Sequence, residues 1–569
     1  YNYLLCMGKG KEMNIIKKEK KWIAVYLTFS LLLTAIRLIN PLLVSRFFDN
    51  AGGSDIEYLL KIVLILLSAS ICGGFLNIFC AILDTKVRNR IVRKAKKEYL
   101  EKLLRLNYET LEKMDFGDRK TRYDFNEVYG ELAVSFISNT IIELFTCAFI
   151  FVYLLTINRI MTAVFVVCLL INSVLEFHIG KISYKFSKEV TEIVSEGESK
   201  VCNALKNIAY IKTNHCADII VNNIDAHQLR LSRRQEQHTK EVVSIDNLNS
   251  QIYKLIEVII FAAAAFMLKN NTISVGQIYL FINYMGWIDN AFSTIWDNHI
   301  KYKASKAKID MIESTFENIG DINSESPCVV PKDRVSSLTV SDVGFQYHPG
   351  EFEICSLNMN LEKGDFVAIV GGSGCGKSTL MKLISGLYRP KTGKILYNGE
   401  DITTLSPESR SYMMAYVSQN IAIMDGRLYD IVDFLNTGVS KEAICHVLRL
   451  AGLSQFVSGL EDGLDTYISE SGINLSGGQL QRLAVAQAMI YSKEVYLFDE
   501  ITSGLDDLTQ KQLIENLKSI SDDKIMIFVT HRLNALGQFN KVFRIENGTM
   551  SQIRLAPELF TKCEGTGCS

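Results

Sequence analysis

Read for hydropathy, the chain divides into two unlike halves. Six apolar stretches lie in the first: Trp22 to Phe48, Leu59 to Leu83, Ala133 to Thr156, Met161 to Phe177, Ile252 to Leu268 and Val275 to Ile295. Each approaches or exceeds the roughly 20 residues a helix needs to cross about 30 Å of hydrocarbon, so the pattern predicts six membrane-spanning helices. Lys and Arg crowd the N-terminus and the segment from Lys86 to Arg105, whereas the spacers DNAGGSDIE, INR and KNNTIS are short and poor in them. By the positive-inside rule, both ends of this region face the cytoplasm. The inside connections, about 50 residues between the second and third stretches and about 75 between the fourth and fifth, keep helical periodicity instead of turn chemistry. They are expected to carry the membrane helices out into the cytosol and back.

Polarity rises from about Phe316. The segment FENIGDINSESPCVVPKDRVSS contains two of the seven prolines and reads as a linker. Beyond it the short apolar runs DFVAIV, EVYLFD and KIMIFVT alternate with helical stretches, the pattern of an α/β domain. The expected organisation is a cytoplasmic segment over 1–21, a membrane domain over 22–315, a linker over 316–336, an α/β domain over 337–555 and a tail over 556–569. Two cysteines in the tail cannot by themselves complete a four-ligand zinc site, and that segment is expected to be disordered.

Composition sharpens this picture. Of 569 residues, 48% are apolar and 22% charged, and the charges are distributed very unevenly, so part of the chain belongs in lipid and part in water. A net charge of −1 offers no global attraction for nucleic acid, and no nucleic-acid-binding motif replaces it. Thirteen cysteines without regular spacing read as reduced thiols, not a disulfide framework. The basic cluster Lys17 to Lys21 leads into an apolar run too long for a cleavable signal peptide, so that run is expected to anchor. Because the sequence opens on Tyr1, its natural start is expected at Met7, at Met13 or upstream.

Two glycine-rich turns carry the candidate chemistry. Gly371 to Ser378, GGSGCGKS, fits G-x-x-x-x-G-K-S and follows an apolar strand. There Gly371, Gly372, Ser373, Gly374, Cys375 and Gly376 curl the backbone round a β-phosphate, Lys377 places a charge between β and γ, and Ser378 offers a hydroxyl to Mg²⁺, with Thr379 beside it. In VYLFDE, four residues of a buried strand precede Asp499, placed to hold the magnesium shell, and Glu500, placed to polarise an attacking water. Paired carboxylates at a strand end also cap helices, but beside a phosphate loop the catalytic reading is favoured. A further strand ends in Thr530 and His531, where the γ-phosphate edge is expected. The second turn, NLSGGQLQRL, brings Ser476, Gly477, Gly478 and Gln479 to a helix N-terminus, another anion-binding device. Since one face of the triphosphate is already taken, this turn would most economically grip the γ-phosphate from the opposite face, across a dimer interface.

These motifs together resemble those of ATP-binding cassette exporters of the half-transporter type, with LSGGQ, Leu475 to Gln479, the most specific of them. The resemblance runs from Trp22 to about Met550. It implies the type IV exporter fold, an all-α six-helix transmembrane domain followed by a P-loop α/β nucleotide-binding domain, in the cell membrane with the latter cytoplasmic. It also implies two chains pairing head to tail around two ATP and their Mg²⁺, as a homodimer or with a different half-transporter. By the same resemblance Tyr347 would stack on adenine, Gln419 would contact magnesium and the membrane helices, and Asp506 in SGLD, with Gly504 where alanine is more usual, would link the two sites. Short cytoplasmic helices transmitting the motion are expected near Leu111 to Phe125 and Asn203 to Asp218.

The spans say less about cargo. Glu143, Glu176, Glu257 and Asp289 lie in or beside them and Arg37 lies mid-span, where ionisable groups are costly and face a partner or a cavity. Arg37 is expected to pair with one carboxylate. The remaining acids, with Trp287 and Tyr284 as aromatic surface, favour a cationic peptide, against export of a lipid or drug, or ATP-gated channel behaviour. Import is disfavoured. About 21 residues precede Trp22, too few for the papain-like domain of peptide exporters that trim their cargo.

Overall fold

The computed structural model describes residues 16, 18–51, 53, 56–270, 272–317, 334–347, 353–421, 423–469 and 475–553. Most of the expected linker and the whole of the expected tail lie outside the described residues. The chain clusters into two compact units, one of Tyr1–Leu106 with Glu112–Ile322, the other of Asn107–Leu111 with Asn323–Ser569.

The first unit is helical. Its long helices run over Lys20–Asn50, Ile56–Leu104, Thr140–Ile157, Arg159–Lys206, Ala217–Lys269 and Val275–Glu317, and every expected span falls on one of them. The third span begins with a π-helical segment, Leu132–Asn139, before Thr140–Ile157 continues it. The 49 residues of Ile56–Leu104 reach about 74 Å at 1.5 Å per residue, more than twice the hydrocarbon thickness, so this helix does continue well beyond the membrane.

Among the described residues four stretches are long and apolar enough to cross a membrane on those criteria alone: Lys20–Asn50, Ile56–Leu104, Phe116–Ile157 and Ala217–Lys269. The fourth and sixth expected spans are not among them. Gln277, Asn283 and Asp289 dilute the sixth. The sixth helix instead buries Phe281, Tyr284, Met285 and Ile288 against Ile150, Leu154, Phe165 and Ile260 of other helices.

Two polar expectations in this unit are corrected. Arg37 donates from Nη2 to Asn77 Oδ1 at 2.9 Å and forms no ion pair among the described residues. The amide carbonyl accepts from the guanidinium as a neutral partner, so no second charge is brought into the span. Tyr284 is fully buried and its hydroxyl donates to the Leu38 carbonyl at 2.7 Å, so it offers no aromatic surface to a cargo in this conformation. Trp287 packs edge-on against it at 6.4 Å.

The second unit holds two main sheets. The larger runs β12-β11-β3-β10-β9-β6, parallel except for β12 at its edge: β3 (Phe366–Gly371), β6 (Met414–Val417), β9 (Val495–Asp499), β10 (Ile525–Val529), β11 (Lys541–Glu546), β12 (Thr549–Ile553). Its central strands β9 and β10 are buried at every residue, as strands covered on both faces must be. A smaller antiparallel sheet, order β2-β1-β4-β5, is built from β1 (Ser337–Gln346), β2 (Glu353–Glu362), β4 (Thr392–Tyr397) and β5 (Glu400–Asp401). A short pair joins β7 (Gly426–Arg427) to β8 (Tyr467–Ile468).

Register fixes where chemistry can sit. Val529 of β10 lies opposite Ile369 of β3 on one side and Asp499 of β9 on the other. The carboxyl ends of three parallel strands therefore stop level, presenting Gly371, Asp499 and Thr530 at one edge, the edge where open α/β sheets bind ligands.

Candidate functional site

Five residues separate the end of β3 at Gly371 from the helix Lys377–Ile384. Gly374 (φ +77°) and Gly376 (φ +100°) adopt backbone conformations that L side chains avoid, although a Cβ at Gly374 would meet nothing within 4 Å. Crowding decides at Gly371, where a Cβ would come within 2.5 Å of the Ile545 carbonyl oxygen and 2.6 Å of Cys375 Sγ. Gly372, Ser373 and Cys375 complete the turn. Lys377 is only 5% exposed, and its Nζ donates to the carbonyls of Gly371 (3.0 Å) and Gly372 (2.7 Å). The loop thus holds its cation against its own backbone.

Ser378 donates from Oγ to Asp499 Oδ1 at 3.2 Å, and Tyr416 donates to Oδ2 at 3.3 Å. Asp499 is 1% exposed, and burial, aided by the neighbouring Glu500 charge, pushes its carboxyl above the usual range despite the Ser378 hydrogen bond. Glu500, the next residue, takes φ +53°, a left-handed backbone that is uncommon outside glycine and costs of order 1 kcal/mol or more. That turn aims its carboxylate away from the strand. There His531 Nε2 stands 2.6 Å from Oε1, and Gln419 Nε2 donates to Oε2 at 2.9 Å.

Tyr347, half-exposed, meets Thr379 through the two hydroxyls at 3.2 Å and packs edge-on against Phe345 and Tyr388. Tyr388 in turn meets Tyr108 of the five-residue helix Tyr108–Glu112 at 5.9 Å. This helix overlaps the start of the stretch Leu111 to Phe125 in which a short cytoplasmic helix was expected, the helix Phe116–Phe125 lies wholly inside that stretch, and Asn107–Leu111 cluster with the second unit. The other expected short helix runs over Ile208–Thr213.

Ser476 caps the helix Gly477–Met489. Its Oγ accepts from Gln479 N at 3.3 Å while Gln479 Oε1 accepts from Ser476 N at 2.8 Å, a reciprocal capping box. A Cβ on Gly478 would approach Leu505 Cδ2 to 2.8 Å, whereas one on Gly477 would meet nothing within 4 Å. Gln481 donates to Ser503 Oγ at 2.9 Å and accepts from Gly504 N at 3.1 Å, tying this helix to the SGLD loop. Asp506 ends that loop as the cap of Asp507–Lys518, accepting from Thr509 N at 3.0 Å. Among the described residues no hydrogen bond joins the signature turn to the P-loop of the same chain.

Sequence reasoning brought together Lys377, Ser378, Asp499, Glu500, Gln419 and His531, and the structure does so too. It missed Tyr416, Gln481 and Tyr388. A hydroxyl in a strand three residues before Gln419 was the available signal for Tyr416; the other two reveal themselves only through long-range contacts. The donor set suits a magnesium nucleotide. Ser378 Oγ and Asp499 Oδ1 are hard oxygens already side by side, the kind of ligand Mg²⁺ takes. The glycines beside Lys377 leave backbone N–H groups open to phosphate oxygens.

Comparison with known proteins agrees. A family model for the ABC transporter transmembrane region matches residues 23–291, and one for the ABC transporter matches 354–503. A putative export ATP-binding/permease protein of Rickettsia felis is 27% identical over 513 residues, 86% of this chain and 85% of the relative. The alpha-hemolysin translocation ATP-binding protein HlyB of Escherichia coli O157:H7 is 29% identical over 316 residues, 55% of this chain but 44% of the relative. The solved structure of a bacterial Atm1-family ABC exporter with ATP bound superposes with a TM-score of 0.86 at 18% identity, covering 97% of this chain and 99% of the other. With both family regions fused in one polypeptide on this fold, the chain belongs to the ATP-binding cassette exporters, multi-pass membrane proteins whose cytoplasmic domain binds and hydrolyses ATP to drive transport.

Proposed function

We propose that the chain works as a dimer with two ATP sites, each made from the P-loop of one protomer and the signature turn of the other. The observation that carries this reading is the carboxylate of Glu500, held by His531 and Gln419 next to Asp499 and Ser378. Lys377 leaves its backbone carbonyls to pair with the β- and γ-phosphates. Glu500 takes the water's proton as the water attacks, while His531 orients that carboxylate and meets the γ-phosphate edge. Magnesium, held by Ser378, Asp499 and Gln419, would neutralise phosphate charge. Ser476 and the N–H groups of Gly477 and Gly478 would complete the partner's site. With its hydroxyl engaged in its own cap and Gly477 open, that turn is a preformed anion site to which, among the described residues, no phosphate loop of its own chain is bonded.

Tyr347 is the adenine platform, and Asp506 with SGLD the link between sites. The helices Tyr108–Glu112 and Ile208–Thr213 pass the motion to the spans. The partner is a second half-transporter, and the simplest is an identical chain, since Glu500, His531, the signature turn and the P-loop all match the competent pattern.

The cargo is a peptide of basic character. Acids at Glu143, Glu257 and Asp289 in the spans favour a cation, and a relative is named for translocating hemolysin. ATPase stimulation in nanodiscs, compared across cationic peptides, lipids and dyes, tests this. Stimulation by basic peptides that is lost when Glu143 and Glu257 become Gln supports it; stimulation by lipids or dyes alone replaces the cargo and leaves the exporter.

A further inference from the structure

Helix Ile56–Leu104 carries a stripe spaced by three and four residues, at positions 75, 79, 82, 86, 89 and 93, whose chemistry changes at the end of the second span. Below Leu83 it is apolar and uncovered: Phe75 is 73% exposed, Phe79 43% and Ile82 49%. Phe79 meets Phe29 of the first span edge-on at 4.9 Å, so two helices wall this strip. Above it the stripe turns basic with Lys86 and Arg93, which flank a pocket of about 390 Å³ lined also by Trp22, Val87, Asn89 and Arg90. Positions 82 to 93 cover only about 17 Å of helix.

The charges in this pocket are uneven. Arg90 is already engaged: its Nε lies 2.8 Å from Glu19, a buried carboxylate that Lys94 also pairs with, and its guanidinium sits 5.4 Å from the Trp22 ring centroid. Lys86 and Arg93 have no carboxylate partner among the described residues. Two uncompensated cations therefore face one recess, beside an indole of the type that settles at the headgroup level and directly above exposed apolar side chains.

We propose that this pocket binds the phosphate headgroup of an anionic phospholipid of the cytoplasmic leaflet, an acyl chain lying along Ile82, Phe79 and Phe75. Lys86 and Arg93 pair with the phosphate, Asn89 donates to it, and Trp22 closes the recess at the membrane surface. A basic recess at the cytoplasmic end of a span matches an anionic headgroup in charge, and the strip below matches its tail. A zwitterionic lipid fills the same shape but leaves both cations uncompensated.

The test is lipid retention by the full-length protein, taken from nanodiscs of equal phosphatidylglycerol and phosphatidylcholine into neutral detergent and weighed by native mass spectrometry. The wild type retains phosphatidylglycerol at least about tenfold over phosphatidylcholine, and Lys86→Ala with Arg93→Ala brings the ratio to about one, as expected for two lost surface cations. Lys86→Arg with Arg93→Lys keeps the preference, which separates charge from misfolding, and millimolar inorganic phosphate does not displace the lipid. An unselective wild type, a double alanine variant that stays selective, or a charge-conserving variant that loses selectivity overturns the proposal. Displacement by phosphate makes the pocket a small-anion site, and a change in dimer fraction with lipid retention unaltered makes it a protein interface; either also overturns it.

Discussion

His531 Nε2 lies 2.6 Å from Glu500 Oε1, the imidazole donating, while the other carboxylate oxygen accepts from Gln419. The backbone of Glu500 is left-handed at φ +53°, so the carboxylate is delivered by a strained turn and fixed by two donors from other strand ends. Replacing Glu500 by Gln keeps size and hydrogen bonding but removes the base. Turnover should fall about 10²- to 10³-fold or more while ATP still binds. His531→Ala should lose about 10²-fold by freeing the carboxylate. Steady-state ATPase beside nucleotide binding checks both; near-normal hydrolysis by Glu500→Gln contradicts the assignment.

Cys375 Sγ lies 3.9 Å from Lys377 Nζ and against Gly371, inside the phosphate loop. An N-ethylmaleimide adduct there should block ATP binding, and Cys375→Ala should hydrolyse ATP normally and resist the reagent. The check is labelling followed by ATPase assay; full activity after confirmed modification of Cys375 rules the effect out.

Asp433 supplies a stability prediction away from the nucleotide. It is 2% exposed, and although burial works against its charge, donors from Thr437, Gly438 and Tyr491 outweigh it and hold its carboxyl down to about 2. A depressed carboxyl stabilises the fold above its unfolded value, and that contribution is lost as pH falls from about 4 through about 2. Asp433→Asn should therefore cost about 2 kcal/mol at neutral pH, with the gap from wild type closing in that acid window. Chemical denaturation at several pH values measures it, and a pH-independent gap would refute the ionic account.

The P-loop, Asp499, Glu500 and His531 were legible in the sequence because phosphate chemistry demands particular residue types at strand ends, and apolar strands announce themselves. Leu497 and Phe528 are buried because their strands are central, and no partner had to be guessed. Contacts that depend on three-dimensional closure were not legible. Tyr416 on Asp499 joins neighbouring strands whose sequence separation is large, and Gln481 on Ser503 joins a helix to a loop over twenty residues on. Arg37 meeting Asn77 is of the same kind: sequence marked a costly cation mid-span but not which dipole would satisfy it. Hydropathy alone leaves the sixth span marginal, since a helix packed inside a bundle tolerates Asn283 and Asp289 that a lipid-facing one does not.

The central claim is that hydrolysis needs two chains, because the P-loop and the turn at Ser476 that complete one site belong to different protomers. Separating monomeric from dimeric full-length protein in detergent and measuring ATPase per chain in each fraction tests it most directly. Activity confined to the dimer, and abolished there by Ser476→Arg, is the predicted result; monomers that hydrolyse ATP at the dimer's rate would contradict it.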